Sequence, residues 1–228
     1  MKPIENILII IDVWKTPIPD SDLIDPSIPS RIVDFLDKKP TIEFHNNFHK
    51  PIDTLVLASY QTHPDEYLHN NNWHYHTSEA FHKKKLKYFK AQQHHHETHY
   101  NDLYHEETHP NILNYKNKNY NQIIAHFPQE LYSLFGNENI KEKKVFFAGC
   151  SIEQCVRTRP LGYQYFVEDT KCSIFTKPEL TQTTYGKIPR RMNEDWVKYF
   201  DTDFFIYDRC GLNSWPGNSY SEFKEWIK

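Results

Sequence analysis

No apolar run in this 228-residue chain approaches the ~20 residues a membrane-spanning helix needs, and no signal-peptide pattern opens it. A soluble, cytoplasmic protein is therefore the expectation. Positive charge is not in excess either: the formal net charge is -3. That argues against a dedicated nucleic-acid binder, and the one basic cluster (Lys83, Lys84, Lys85, Lys87 and Lys90) reads as solvated surface. The four cysteines, Cys150, Cys155, Cys172 and Cys210, show no CxxC or metal-ligand spacing, so reduced thiols are the default. Low-complexity linkers are missing too, which makes one domain the simplest organisation for a chain of this length.

What is present is aromatic surface and a recurrent strand–helix pattern. Hydrophobic content is only 38%, but aromatics reach 15%, so large rings must supply much of the core. Ile7 to Asp12 is a continuous apolar run closed by a carboxylate, as expected of a central parallel strand buried on both faces. A helix follows from Ser30 to about Lys38, then a strand from Thr54 to Tyr60. Ile112 to Lys116 reads as a weak third strand. Gln129 to Phe135 reads as a short helix opened by Pro128, and Val145 to Ala148 as a further buried strand. Beyond Cys155, one reading stops the helix at Gly162 and makes Tyr163 to Val167 a strand. The other, preferred because a crossover must be long enough to traverse the sheet, carries the helix to about Glu168 and makes Cys172 to Thr176 the strand. A helix from Asn193 to Tyr199, a strand from Phe204 to Tyr207 and an amphipathic turn from Glu222 to Ile227 complete the pattern. Such alternation implies a three-layer α/β/α architecture around a doubly wound, mainly parallel sheet of about six strands.

Residues 61–110 differ in character, carrying eleven of the 14 histidines. No strand is evident there, and an insertion of this length points to helical pieces with a functional or oligomer-forming role. His105 to His109 spells HExxH, a zinc-hydrolase pattern when it lies on a helix. Pro110 follows at once, no third ligand stands at a recognised spacing, and a histidine-rich stretch produces such matches by chance. Solvated histidines are the preferred reading, with a metal held by His94, His95, His96 and His99 as the alternative.

The chemistry concentrates between Lys143 and Gly162, KKVFFAGCSIEQCVRTRPLG, where a buried strand turns through a short elbow into a helix that begins near Cys155. In α/β folds such an elbow lies at the carboxyl edge of the sheet, where ligands bind. A thiol has an ordinary pKa of ~8.5, so a reactive one needs a nearby proton acceptor and positive charge. A helix N-terminus can supply part of the latter. Taken together, ILIIIDVW and FFAGCSIEQCV resemble the framing motifs of the isochorismatase-like cysteine hydrolases, the superfamily that includes the nicotinamidases. The resemblance implies an Asp, Lys, Cys triad: Asp12 as base, Cys155 as nucleophile, and a lysine leaving the third strand, for which Lys116 is the first candidate and Lys118 the second. It also implies a homo-oligomer acting on a small-molecule amide or related carbonyl compound. Trp14, Tyr60, His63 and Ser151 are the candidate pocket walls. Where the family has glutamine two residues after the Asp, this chain has Trp14; where nicotinamidases bind metal through Asp-x-His, it has Gln61 and His63. A neutral amide is a poor anchor for a divalent cation, so no cofactor is expected, with a metal near His63 or within the histidine-rich stretch as the less favoured alternative. The competing function is a catalytically inactive relative that binds a ligand or partner.

Overall fold

The computed structural model describes residues 6–13, 26–38, 52–58, 72–75, 81, 83, 108–135, 143–150, 155–166, 173–181 and 205–206. The strands are β1 (Asn6–Ile11), β2 (Thr54–Ala58), β3 (His74–Tyr75), β4 (Asn121–Ile124), β5 (Lys144–Gly149), β6 (Ser173–Thr181) and β7 (Phe205–Ile206). They form one sheet in the order β3-β4-β2-β1-β5-β6-β7. Every pairing is parallel except β6 with β7, which is antiparallel. This is an α/β fold built on a mainly parallel sheet. β1 lies between β2 and β5, with Ile9 opposite both Val56 and Phe147. That position explains why NILIII is buried at every residue: a strand covered on both faces has no use for alternation.

Helix α1 (Ile28–Asp37) turns Ile28, Ile32 and Leu36 inward, one per turn, and carries a proline at its start, where the missing N–H is harmless. These three residues pack in one cluster with Leu8, Ile10, Leu55, Leu57, Ile124, Phe146 and Ala148. The short helix α2 (Pro110–Leu113) adds Ile112 to the same cluster. Trp73 locks it there by donating its indole N–H to the carbonyls of Ile112 and Leu113. Phe147 points the other way from Phe146 and Ala148, as strand alternation requires. Its ring meets Tyr163 and Phe166 edge-on, with centroids 6.3 and 5.8 Å away. Helix α3 (Pro128–Phe135) follows β4. Beyond β5, α4 (Cys155–Thr158) and α5 (Tyr163–Tyr165) are short helical turns separated by Arg159–Gly162.

Four expectations are corrected. The third strand is not Ile112 to Lys116: Pro110 opens a helical turn there, and the strand falls later, at β4. Lys116 and Lys118 therefore precede the strand instead of leaving it, and both are exposed. The helix beginning at Cys155 does not run on to Glu168; it ends at Thr158, and a turn containing Pro160 and Gly162 intervenes. The histidine-rich stretch contains a strand after all, the two-residue β3 on the sheet's edge. The sheet has seven strands among the described residues, against about six expected. The strand expected at Cys172 to Thr176 is found as β6, longer and shifted by one residue. The expected helix at 193–199 and turn at 222–227 lie outside the described residues.

Candidate active site

At the carboxyl edge of the two central strands the backbone is unusually constrained. Asp12, the first residue past β1, has φ +46°, an uncommon conformation for any residue with a Cβ, although Asp tolerates it better than most. It is fully buried. Opposite it, Gly149 ends β5 with φ +118°, and a Cβ placed there would stand 1.9 Å from the Ile11 carbonyl oxygen. Only glycine lets the two strand ends approach this closely. The same Ile11 carbonyl accepts the Cys150 N–H at 3.2 Å. Beyond Asp12, the Val13 carbonyl accepts the His109 N–H at 2.8 Å, so the end of the histidine-rich stretch returns to this edge.

The turn after Cys155 completes the arrangement. The Arg159 N–H donates to the Cys155 carbonyl at 3.1 Å, closing one helical turn. Its side chain crosses to β1, where Nε donates to Asp12 Oδ2 at 2.7 Å. The two side chains are 6% and 0% exposed, so this ion pair is shielded from water. The Gly162 N–H returns to the Arg159 carbonyl at 2.6 Å. A Cβ at Gly162 would meet the Arg157 carbonyl at 2.4 Å, which is why the tight turn uses glycine. Breaking a buried, hydrogen-bonded ion pair from one side typically costs ~3–5 kcal/mol. Two motifs 147 positions apart in sequence are thus joined by a strong contact. Cys155 itself is half-buried, Cys150 is buried, and neither is in a disulfide.

The structure brings Asp12 and the Cys155 turn together, and it does not bring Lys116 or Lys118 to them. Both lysines lie near the amino end of β4: the Tyr115 carbonyl and the Asn117 N–H are each hydrogen-bonded by the side chain of Gln122, the second residue of that strand. Asp12 stands past the opposite end of the parallel β1, about 16 Å away at the ~3.3 Å rise of each strand residue. Trp14, Tyr60, His63 and Ser151 lie outside the described residues.

Two residues at this edge were not among the expected site residues. Arg159 was hidden within an expected helix, although an arginine between a nucleophile candidate and a Pro-Leu-Gly turn is the visible clue. His126 is the residue that β4 sends to the carboxyl edge, and it is fully buried. Its N–H and that of Phe127 both donate to Glu130 Oε2, at 2.7 and 3.0 Å, which caps the start of α3 with a buried carboxylate.

Of the HExxH pattern, Thr108 and His109 are described. The His109 backbone is extended (φ -59°, ψ 132°), and its Nδ1 accepts the Asn111 N–H at 3.2 Å, capping α2. His109 therefore stands outside a helix, where the pattern needs it on one, and His105 lies outside the described residues. Burial holds the His109 imidazole below the usual histidine range. Among the described residues, no three His, Cys, Asp or Glu side chains form a group suited to a metal ion. Among them, too, no helix is long and apolar enough to cross a membrane. Comparison with protein-family models, with curated proteins and with solved structures found no match for this chain.

Proposed function

We propose that the chain is a cysteine hydrolase of the isochorismatase-like kind, cleaving a small amide or related carbonyl compound with Cys155 as nucleophile. What carries the reading is the convergence of Asp12 and the Cys155 turn at the carboxyl edge of the central strands, joined by Arg159. Such edges are where open α/β sheets bind their ligands. A backbone strained at Asp12 is also characteristic of functional positions.

In this reading the Cys155 proton passes to the Asp12 carboxylate, and the thiolate adds to the substrate carbonyl carbon. Collapse of the adduct expels the amine, which leaves with a proton, and forms a thioester. Water then cleaves the thioester, releasing the acid and restoring the thiol. Trp14, Tyr60, His63 and Ser151 would line the substrate pocket. The overall architecture would be a single three-layer α/β/α domain assembling as a homo-oligomer, working without a cofactor. The packing of α1 and Phe147 on opposite sides of the sheet is what supports the layering.

A second reading has its own support. Asp12 Oδ2 is already engaged by Arg159, which leaves less of the carboxylate to accept a proton. A protein that binds a ligand at this edge without hydrolysing it would tolerate that. Iodoacetamide labelling followed by peptide mapping separates the two: the hydrolase reading expects Cys155 to alkylate well below pH 8, and an amide panel to be hydrolysed by wild type but not by Cys155→Ala. A Cys155 that labels only above pH 8, with no turnover of any amide, overturns it.

A further inference from the structure

We infer that Arg159 is the positive charge of the cysteine site, a positioning residue that takes the part expected of a lysine. The inference rests on Cys155 being the reactive thiol and specifies what surrounds it. Three observations lead there. First, the lysines expected to serve stand at the far end of β4, exposed. Second, α4 has only four residues, so its backbone dipole is a small fraction of a full helix's and lends the sulfur little positive charge. Among the described residues, a side chain is then the better source of that charge.

Third, Arg159 is placed to supply it. It stands four residues after Cys155 on a closed helical turn, the spacing at which side chains share one face. Arg157 stands two residues after Cys155, a spacing at which side chains do not face each other. Arg159 is 5% exposed and anchored by its contact with fully buried Asp12. A guanidinium does not lose its proton in proteins, so this charge is permanent, where a lysine could also relay a proton. The pair acts on the thiol as a unit: Asp12 opposes the thiolate, and Arg159 cancels that opposition.

Opposite effects of the two partners are the signature of this arrangement, and a merely structural pair would not produce them. The experiment measures the pH midpoint of Cys155 alkylation by iodoacetamide, read by peptide mass, in wild type and three variants. Arg159→Gln leaves the Asp12 carboxylate uncompensated and is expected to raise the midpoint by about one pH unit, slowing labelling at pH 7 roughly tenfold. Asp12→Asn leaves the guanidinium alone and is expected to lower it. Arg159→Lys keeps the charge and is expected to shift the midpoint by less than either. Shifts of the same sign in Arg159→Gln and Asp12→Asn, or no shift in both, overturn the inference. Should Arg159→Gln not fold, the other two arms decide: an Asp12→Asn midpoint at or above that of wild type, or an Arg159→Lys shift as large as that of Asp12→Asn, overturns it. A high wild-type midpoint with opposite variant shifts would overturn the hydrolase reading and leave this inference standing.

Discussion

Gly149 and Ile11 approach so closely that a Cβ on the first would stand 1.9 Å from the carbonyl oxygen of the second. This contact ends β5 against β1. Gly149→Ala has to move one strand end as well as adopt φ +118°, which side chains rarely allow. Strain and overpacking together are expected to cost at least about 3 kcal/mol. For a chain of this size that lowers Tm by roughly 6–12 °C. Thermal melting checks the loss; a Gly149→Ala melt within about 2 °C of wild type would show that the strand ends yield easily.

Glu130 holds two backbone N–H groups in a buried setting, those of His126 and Phe127. Glu130→Ala removes a charged acceptor and strands both donors, at an expected cost of about 2–3 kcal/mol. Glu130→Gln keeps an acceptor oxygen and is expected to recover part of it. Urea denaturation of both variants measures the difference, and equal stability of wild type and Glu130→Ala would refute the capping role.

His109 links stability to pH. Burial lowers its pKa below the ordinary 6.5, so the folded state prefers the neutral ring. Its contribution is therefore complete above about pH 6.5 and is lost as the pH falls toward and through the lowered folded value. The neutral ring is also what lets Nδ1 accept the Asn111 N–H. His109→Asn keeps a capping acceptor without titrating. The difference between wild-type and His109→Asn melting temperatures is expected to move against wild type between pH 7.5 and 5.5; a constant difference would count against the assignment.

Tyr115 and Tyr120 act at the other end of the scale. Burial raises both phenols above their usual range, with Asp37, hydrogen-bonded to the Tyr115 hydroxyl at 3.1 Å, adding to the shift. Raised folded pKa values stabilise below the ordinary value of about 10, and that stability is lost as the pH climbs through the folded values. Tyr115→Phe is expected to reduce alkaline destabilisation above pH 10, measured as Tm against pH.

Lys116 offers a clean negative control. It is exposed at the amino edge of the sheet, far from Asp12. Lys116→Met is expected to leave Cys155 alkylation and any amide turnover within about twofold of wild type. A loss of either by tenfold or more would restore the lysine to the site.

Much of this protein is legible in one dimension. The apolar runs of β1, β2 and β5 have to be buried, and their spacing with helical segments dictates a parallel α/β sheet, because each apolar run demands cover on both faces. Asp12 stands out as the first chemically useful group after a stretch that can only be core, and Cys155 as the thiol that opens the helical turn following another such stretch. Where local pattern is weak, the sequence is silent. NILNYKNKNYNQII can put its strand at either end, and only the parallel partner β2 and the helical turn at Pro110 place it at Asn121–Ile124. That shift of a few residues moves Lys116 from one edge of the sheet to the other. Arg159 is likewise decided by tertiary structure alone, because a charged side chain in a turn is solvated by default, and nothing short of the folded sheet shows that its buried partner is Asp12.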